Sequence, residues 1–77
     1  MTNYSIQVLI EQDEDRKYIA SCPSLEGCYI QGDTFEEAIE NIKDVIEMCI
    51  RELKEAKKPF DLRYPEVIGV KHLDIAI

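Results

Sequence analysis

The chain has no apolar run approaching the ~20 residues of a membrane span, so a transmembrane helix is excluded as an expectation. Met1-Thr2-Asn3-Tyr4 carries neither the basic nor the apolar region of a signal peptide. Both absences point to the cytoplasm. Cysteine is scarce and odd in number: Cys22, Cys28 and Cys49. An odd count without an export signal argues against a disulfide framework. Cys22 and Cys28 are too far apart for a zinc-knuckle pair, and His72 is the single histidine, which argues against zinc. Thiols acting as small hydrophobes fit better. Positive charge is also short, with 9 Lys and Arg against 16 Asp and Glu and a formal net charge of -7. Nonspecific binding to nucleic acid phosphates or anionic membranes is disfavoured, and a basic partner is favoured. There is no glycine loop to cradle phosphate and no basic, aromatic stripe for RNA.

What is present begins with Asp33-Thr34-Phe35-Glu36-Glu37. Thr34 followed three residues later by Glu37 reads as a capping box. Asp33, Glu36 and Glu37 lie at the positive end of a helix dipole. Apolar residues then recur at Phe35, Ala38, Ile39, Ile42, Val45, Ile46, Cys49, Leu53 and Ala56, one face of a 3.6-residue period. Arg51, Lys54, Lys57 and Lys58 gather at the far end, and Pro59 is the expected stop. The pattern predicts one long amphipathic helix over roughly 34–57.

Before it, Tyr4, Ile6, Val8 and Ile10 alternate with Ser5, Gln7, Leu9 and Glu11, predicting a half-buried strand. Gln12 to Arg16 is a polar turn, and Lys17–Cys22 returns antiparallel. Pro23 to Gly27 is a loop, shaped by Pro23 and plugged by Leu25. Cys28–Gln31 is a third strand. Gly27 and Gly32 read as turn positions needing unusual φ. After the helix, 59–65 is an extended connection flanked by prolines. Val67–Ile77 is the last element. Ile68 and Val70 lie on one parity and Leu73, Ile75 and Ile77 on the other, so it is either one strand with a β-bulge or a connection followed by a strand. The predicted order is β-β-β-α-β over one domain, 1–77. This is an α+β fold: a two-layer α/β sandwich with a three-stranded antiparallel sheet, one long helix and a C-terminal edge strand. A core this small calls for supplement by self-association, with a homodimer or tetramer expected.

Tyr18-Ile19-Ala20-Ser21-Cys22-Pro23-Ser24-Leu25-Glu26-Gly27-Cys28, then Gly32-Asp33-Thr34-Phe35-Glu36-Glu37-Ala38 and Asn41, resembles the HicB antitoxin family. The resemblance implies a partial ribonuclease H-like unit that neutralises HicA-like toxins, small basic ribonucleases. Many members carry a C-terminal DNA-binding domain; none is visible before Ile77, so no direct DNA binding is expected.

Ribonuclease H-type chemistry needs carboxylates converging on two metal ions. On the first strand only Glu11, at its end, is acidic. Asp13, Glu14 and Asp15 lack calcium-loop spacing and read as a solvated turn. His72 has no partner at a diagnostic spacing. The expectation is no catalytic residue, no cofactor and no metal. Partner-binding candidates are Glu11, Asp13, Glu14 and Asp15 on the hairpin and Glu36, Glu40, Asp44 and Glu47 on the outer helix face, standing in for phosphates. The plainer alternative for the helical set is a solvated face, with Lys43 and Arg51 pairing locally with Glu47. Two other functions stand beside the antitoxin: a vestigial nucleic-acid enzyme, and a solitary homo-oligomeric domain with a different partner.

Overall fold

The computed structural model describes residues 3–77. Three short strands, β1 (Leu9–Gln12), β2 (Tyr18–Ser21) and β3 (Tyr29–Gly32), are followed by one helix, α1 (Phe35–Glu55). The sheet is antiparallel in the order β1-β2-β3. Its register places Ile10, Ala20 and Ile30 side by side, and Gln12, Tyr18 and Gly32 side by side. Alternation along each strand therefore turns Ile10, Ala20 and Ile30 toward α1 and leaves Leu9, Glu11, Ile19, Ser21, Tyr29 and Gln31 on the outer face. The helix packs mainly on β3 and β2.

The core is small: Ala20, Cys22, Leu25, Cys28, Ala38, Ile42, Ile46 and Ile50 are buried. Ile6, Val8 and Ile10 pack against it while Tyr4, the first of the expected alternating set, is exposed, and ladder pairing begins only at Leu9. Opposite residue 8 the partner strand has reached Cys22 and the Pro23 loop, which turns away. That loop is closed by hydrogen bonds from the Leu25 N–H to the Cys22 carbonyl (3.1 Å) and from the Cys28 N–H to the Leu25 carbonyl (3.2 Å). Leu25 is its buried plug.

The buried line of the helix is Ala38-Ile42-Ile46-Ile50, at four-residue spacing. Ile50 belongs to the core although the apolar stripe read from the sequence omitted it. Phe35, Ile39 and Ala56, which that stripe included, are exposed. Thr34 caps the helix, its Oγ accepting the Glu37 N–H at 3.0 Å. The returning Glu37 carboxylate accepts the N–H of Asp33 at 3.3 Å, one residue before the cap. At the other end the stop is made before Pro59. Lys57 adopts a left-handed φ of 54, its N–H donates to the Lys54 carbonyl and the Lys58 N–H donates to the Leu53 carbonyl. This is a Schellman closure with lysine where glycine is usual.

Gly27, with φ 74, occupies the left-handed region as expected. Gly32 does not. A Cβ there would meet the Ala38 backbone N at 2.5 Å and Cα at 2.8 Å, so its glycine is required by the close approach of the helix start to β3.

The expected C-terminal edge strand does not form. The chain beyond Lys58 contains no strand or helix, and Val67–Ile77 pairs with no other strand. A strand needs a partner ladder, and the side chain of Gln7 substitutes for one at a single point. Its Oε1 accepts the Val67 N–H at 2.7 Å, and its Nε2 donates to the Val67 carbonyl at 3.5 Å. From there the chain projects into solvent. The radius of gyration is 14.6 Å, above the ~11–12 Å of a compact chain of this length.

Candidate partner-binding surface

The register that aligns Gln12, Tyr18 and Gly32 also puts the β1–β2 turn and the start of α1 at one end of the molecule. Two contacts join them. Lys17 makes an ion pair with Asp33, whose carboxylate holds the Lys17 ammonium above its ordinary range. Tyr18 and Phe35 meet edge-to-face, with ring centroids 6.3 Å apart. The hairpin candidates and the first of the helical candidates, distant in sequence, thus lie at one end of the molecule, Glu11 on the outer face of the sheet and Glu36 and Glu40 on the outer face of the helix. Glu11, Asp13, Glu14 and Asp15 come from the hairpin, and Asp33, Glu36, Glu37 and Glu40 from the helix start. These eight carboxylates face only Arg16 and Lys17 over 11–17 and 33–40, and Lys17 is already engaged by Asp33. The end carries a formal charge of -6 of the chain's -7. Asp44 and Glu47 are exposed farther along the outer helix face, away from the turn.

The carboxylates are not equivalent. Asp13 is half-buried, and its Oδ1 accepts the N–H groups of Asp15 and Lys17, both at 2.9 Å. With the Arg16 N–H donating to the Asp13 carbonyl at 3.0 Å, Asp13 builds the turn. Arg16 completes it in the left-handed region, φ 64. The reading of a solvated turn therefore fits Glu14 and Asp15, which are exposed, and not Asp13. The expected pairing of Glu47 with Lys43 and Arg51 is also absent: among the described residues the ion pairs are Lys17–Asp33 and Asp61–Arg63. Glu36, Glu40, Asp44 and Glu47 are exposed, and none takes part in an ion pair.

Asn41 falls in the sequence motif and plays a structural part. Its Nδ2 donates to the Gln31 carbonyl at 3.0 Å, tying α1 to β3. Ser24 does the same for the Pro23 loop, its hydroxyl donating to the Leu62 carbonyl at 2.8 Å. Sequence reasoning assigned neither role, because each bond joins segments that only the fold brings together.

The thiols lie under that loop. Burial, with Cys49 and Cys22 adjoining, pushes the Cys28 thiol up to about 12, far from the range of a nucleophilic cysteine. Among the described residues, no three His, Cys, Asp or Glu side chains group so as to hold a metal ion. His72 is exposed on the C-terminal segment. A shallow groove of ≈ 460 Å³ runs between the loop and the end of α1, lined by Leu25, Glu26, Cys49, Glu52, Leu53, Ala56 and Lys58. No helix among the described residues is long and apolar enough to cross a membrane.

Comparison with known proteins adds the following. Residues 4–71 match the family described as the HicB_like antitoxin of bacterial toxin-antitoxin systems. A UPF0150 protein of Synechocystis is 50% identical over 74 residues, covering 96% of this chain and 90% of the relative. A second from the same organism is 46% identical over 54 residues, 70% of this chain and 78% of the relative. A UPF0150 protein of Archaeoglobus fulgidus is 35% identical over 68 residues, with 88% and 90% covered. No solved structure matches.

Proposed function

The chain belongs to the HicB-like antitoxin family of bacterial toxin–antitoxin systems, and from that membership we propose that it binds and neutralises a HicA-like, mRNA-cleaving toxin by covering the toxin's active and RNA-binding surface. The observation that carries the reading is the acidic end, where the hairpin turn and the helix start join eight carboxylates. A ribonuclease surface built to hold phosphates is basic, and a patch of carboxylates competes for it by the same electrostatics. Glu14, Asp15, Glu36 and Glu40 are the free contacts, with Glu11 at the strand end and Asp44 and Glu47 extending the surface along the helix. Asp13 holds the turn that presents them.

The protein acts as one HicB-like domain over 1–77, in the cytoplasm where mRNA is found. It is a binding module and not an enzyme, needs no cofactor, and its net charge of -7 keeps it off DNA. Its sheet and helix serve as a partial ribonuclease H-like scaffold without the converging carboxylates of that chemistry. A core of eight buried residues favours a homodimer or tetramer as the working form.

The test is the rate of association with a HicA-like toxin against ionic strength. Exposed charges act over a Debye length of ~8 Å at physiological salt and mainly on the encounter rate. Added salt should slow association while dissociation changes less. Glu14→Lys with Asp15→Lys, and Glu36→Lys with Glu40→Lys, should each slow it further, leaving the fold intact. Rates indifferent to salt and to both reversals would refute the acidic surface as the contact.

A further inference from the structure

We propose that the segment Leu73–Ile77 is an exchange arm that adds as a fourth strand to the open edge of β1 in a second copy of the chain. The inference names the surface behind the oligomeric part of the reading above and is independent of the toxin.

The arm is built as a strand that lacks a sheet. Leu73, Ile75 and Ile77 alternate with Asp74 and Ala76, the period of two of a half-buried strand. Yet the residues stand in solvent: Leu73 is 69% and Ile75 71% exposed, and Ile68 and Val70 before them 94% and 82%. A contiguous apolar surface of this kind on a small chain marks an interaction site. At roughly 100 Å² of apolar surface per aliphatic side chain, Leu73, Ile75 and Ile77 of two such arms offer on the order of 600 Å². With the surfaces they would cover, the total reaches about 1,200 Å², the lower end of the range of stable interfaces.

Charge indicates a second copy as the occupant. Two chains of formal charge -7 repel each other, and contact is favoured where charge is lowest. Over 67–77 Lys71 offsets Asp74, so the segment that carries the arm is formally neutral, while the acidic end carries nearly all the excess. A basic toxin would be drawn to that end and not to the arm.

The acceptor follows from the two sheet edges. On β3, Asn41 already occupies the Gln31 carbonyl. On β1, residues Leu9–Gln12 pair with β2 alone, and an open edge is a template for another chain. Ile6, Val8 and Ile10 are only half-buried on the helix side of that edge, where Leu73, Ile75 and Ile77 would extend the core. The segment that leads to the arm is held beside that edge, because Gln7 grips Val67, and the two copies can therefore exchange arms about one twofold axis.

Sedimentation of the full chain at micromolar concentration tests the proposal, with wild type beside Leu73→Asp/Ile75→Asp. Wild type should run at twice the 8.9 kDa of one chain or an even multiple, and the variant at one. Hydrogen exchange on wild type supplies a readout that needs no variant: amides of 73–77 and of β1 should slow together as concentration rises. A wild type that stays at one-chain mass would overturn self-association itself. An unchanged oligomer in the folded variant, or protection of 73–77 without a matching gain over 9–12, would overturn the arm or its acceptor while leaving the oligomer standing.

Discussion

Gly32→Ala tests how the two layers of the fold are joined. An alanine Cβ would sit 2.5 Å from the Ala38 backbone N, 2.8 Å from its Cα and 3.0 Å from the Glu37 carbonyl carbon. All three are backbone atoms, so no side-chain rotation relieves the contact. Restoring ordinary van der Waals distance of about 3.5 Å requires the helix start to move ~1 Å away from β3. Ala38 is completely buried, and such a shift unpacks it while straining the Tyr18–Phe35 and Lys17–Asp33 contacts. Overpacking of this kind costs ~1–3 kcal/mol. The loss of unfolded-state freedom on replacing glycine returns only ~0.4–1 kcal/mol. We expect a net loss of about 1.3 kcal/mol, or a fall in Tm of roughly 5–10 °C for a domain this small. Urea and thermal unfolding measure it, with Gly27→Ala as the reference. At Gly27 there is open space and a φ of 74, so only the left-handed penalty of ~1–2 kcal/mol applies. The sign is decisive: were Gly32 a mere turn residue of ordinary φ, alanine would stabilise. A Gly32→Ala protein as stable as wild type would refute the close-approach argument.

Thr34→Ala should cost about 1 kcal/mol through loss of the cap, read by urea unfolding with little change in affinity for the toxin; an unchanged stability would mean the helix starts elsewhere. Lys57→Gly should stabilise by roughly 0.5–1 kcal/mol, because lysine holds a left-handed φ there that glycine adopts freely; a loss of stability in thermal unfolding would show that the lysine side chain matters more than its backbone. Cys28 sets an alkaline limit. Its thiol is pushed up from 9.0 to about 12, so between those values the folded chain keeps a proton that the unfolded chain releases. The stability it contributes is complete below pH ~9 and is lost as pH rises toward ~12. Urea midpoints across this range should fall, and Cys28→Ala should flatten the decline; an equally steep decline in that variant would place the titration elsewhere.

The helix and its cap were legible in the sequence because they are local. Thr34, Glu37 and a 3.6-residue apolar period lie within a few turns of one another, and a helix closes its own hydrogen bonds. The hairpin and the third strand were legible for a similar reason, since alternation and polar turns are neighbour relations. Legibility ended where distant segments meet. Whether Gly32 is glycine for its φ or for its neighbour depends on where Ala38 lies, and periodicity carries no such distance. Asn41 and Ser24 hold the carbonyls of Gln31 and Leu62, pairings that exist only after the layers close. The candidate acids were readable as two separate charge groups; the register of Gln12, Tyr18 and Gly32 brought the hairpin set and the helix start to one end of the molecule, and the hydrogen bonds of Asp13 set it apart as the residue that builds the turn. The last segment shows the limit most clearly. Leu73, Ile75 and Ile77 have the pattern of a strand, but a strand is completed by a partner's backbone, and the single folded chain supplies one only through the side chain of Gln7.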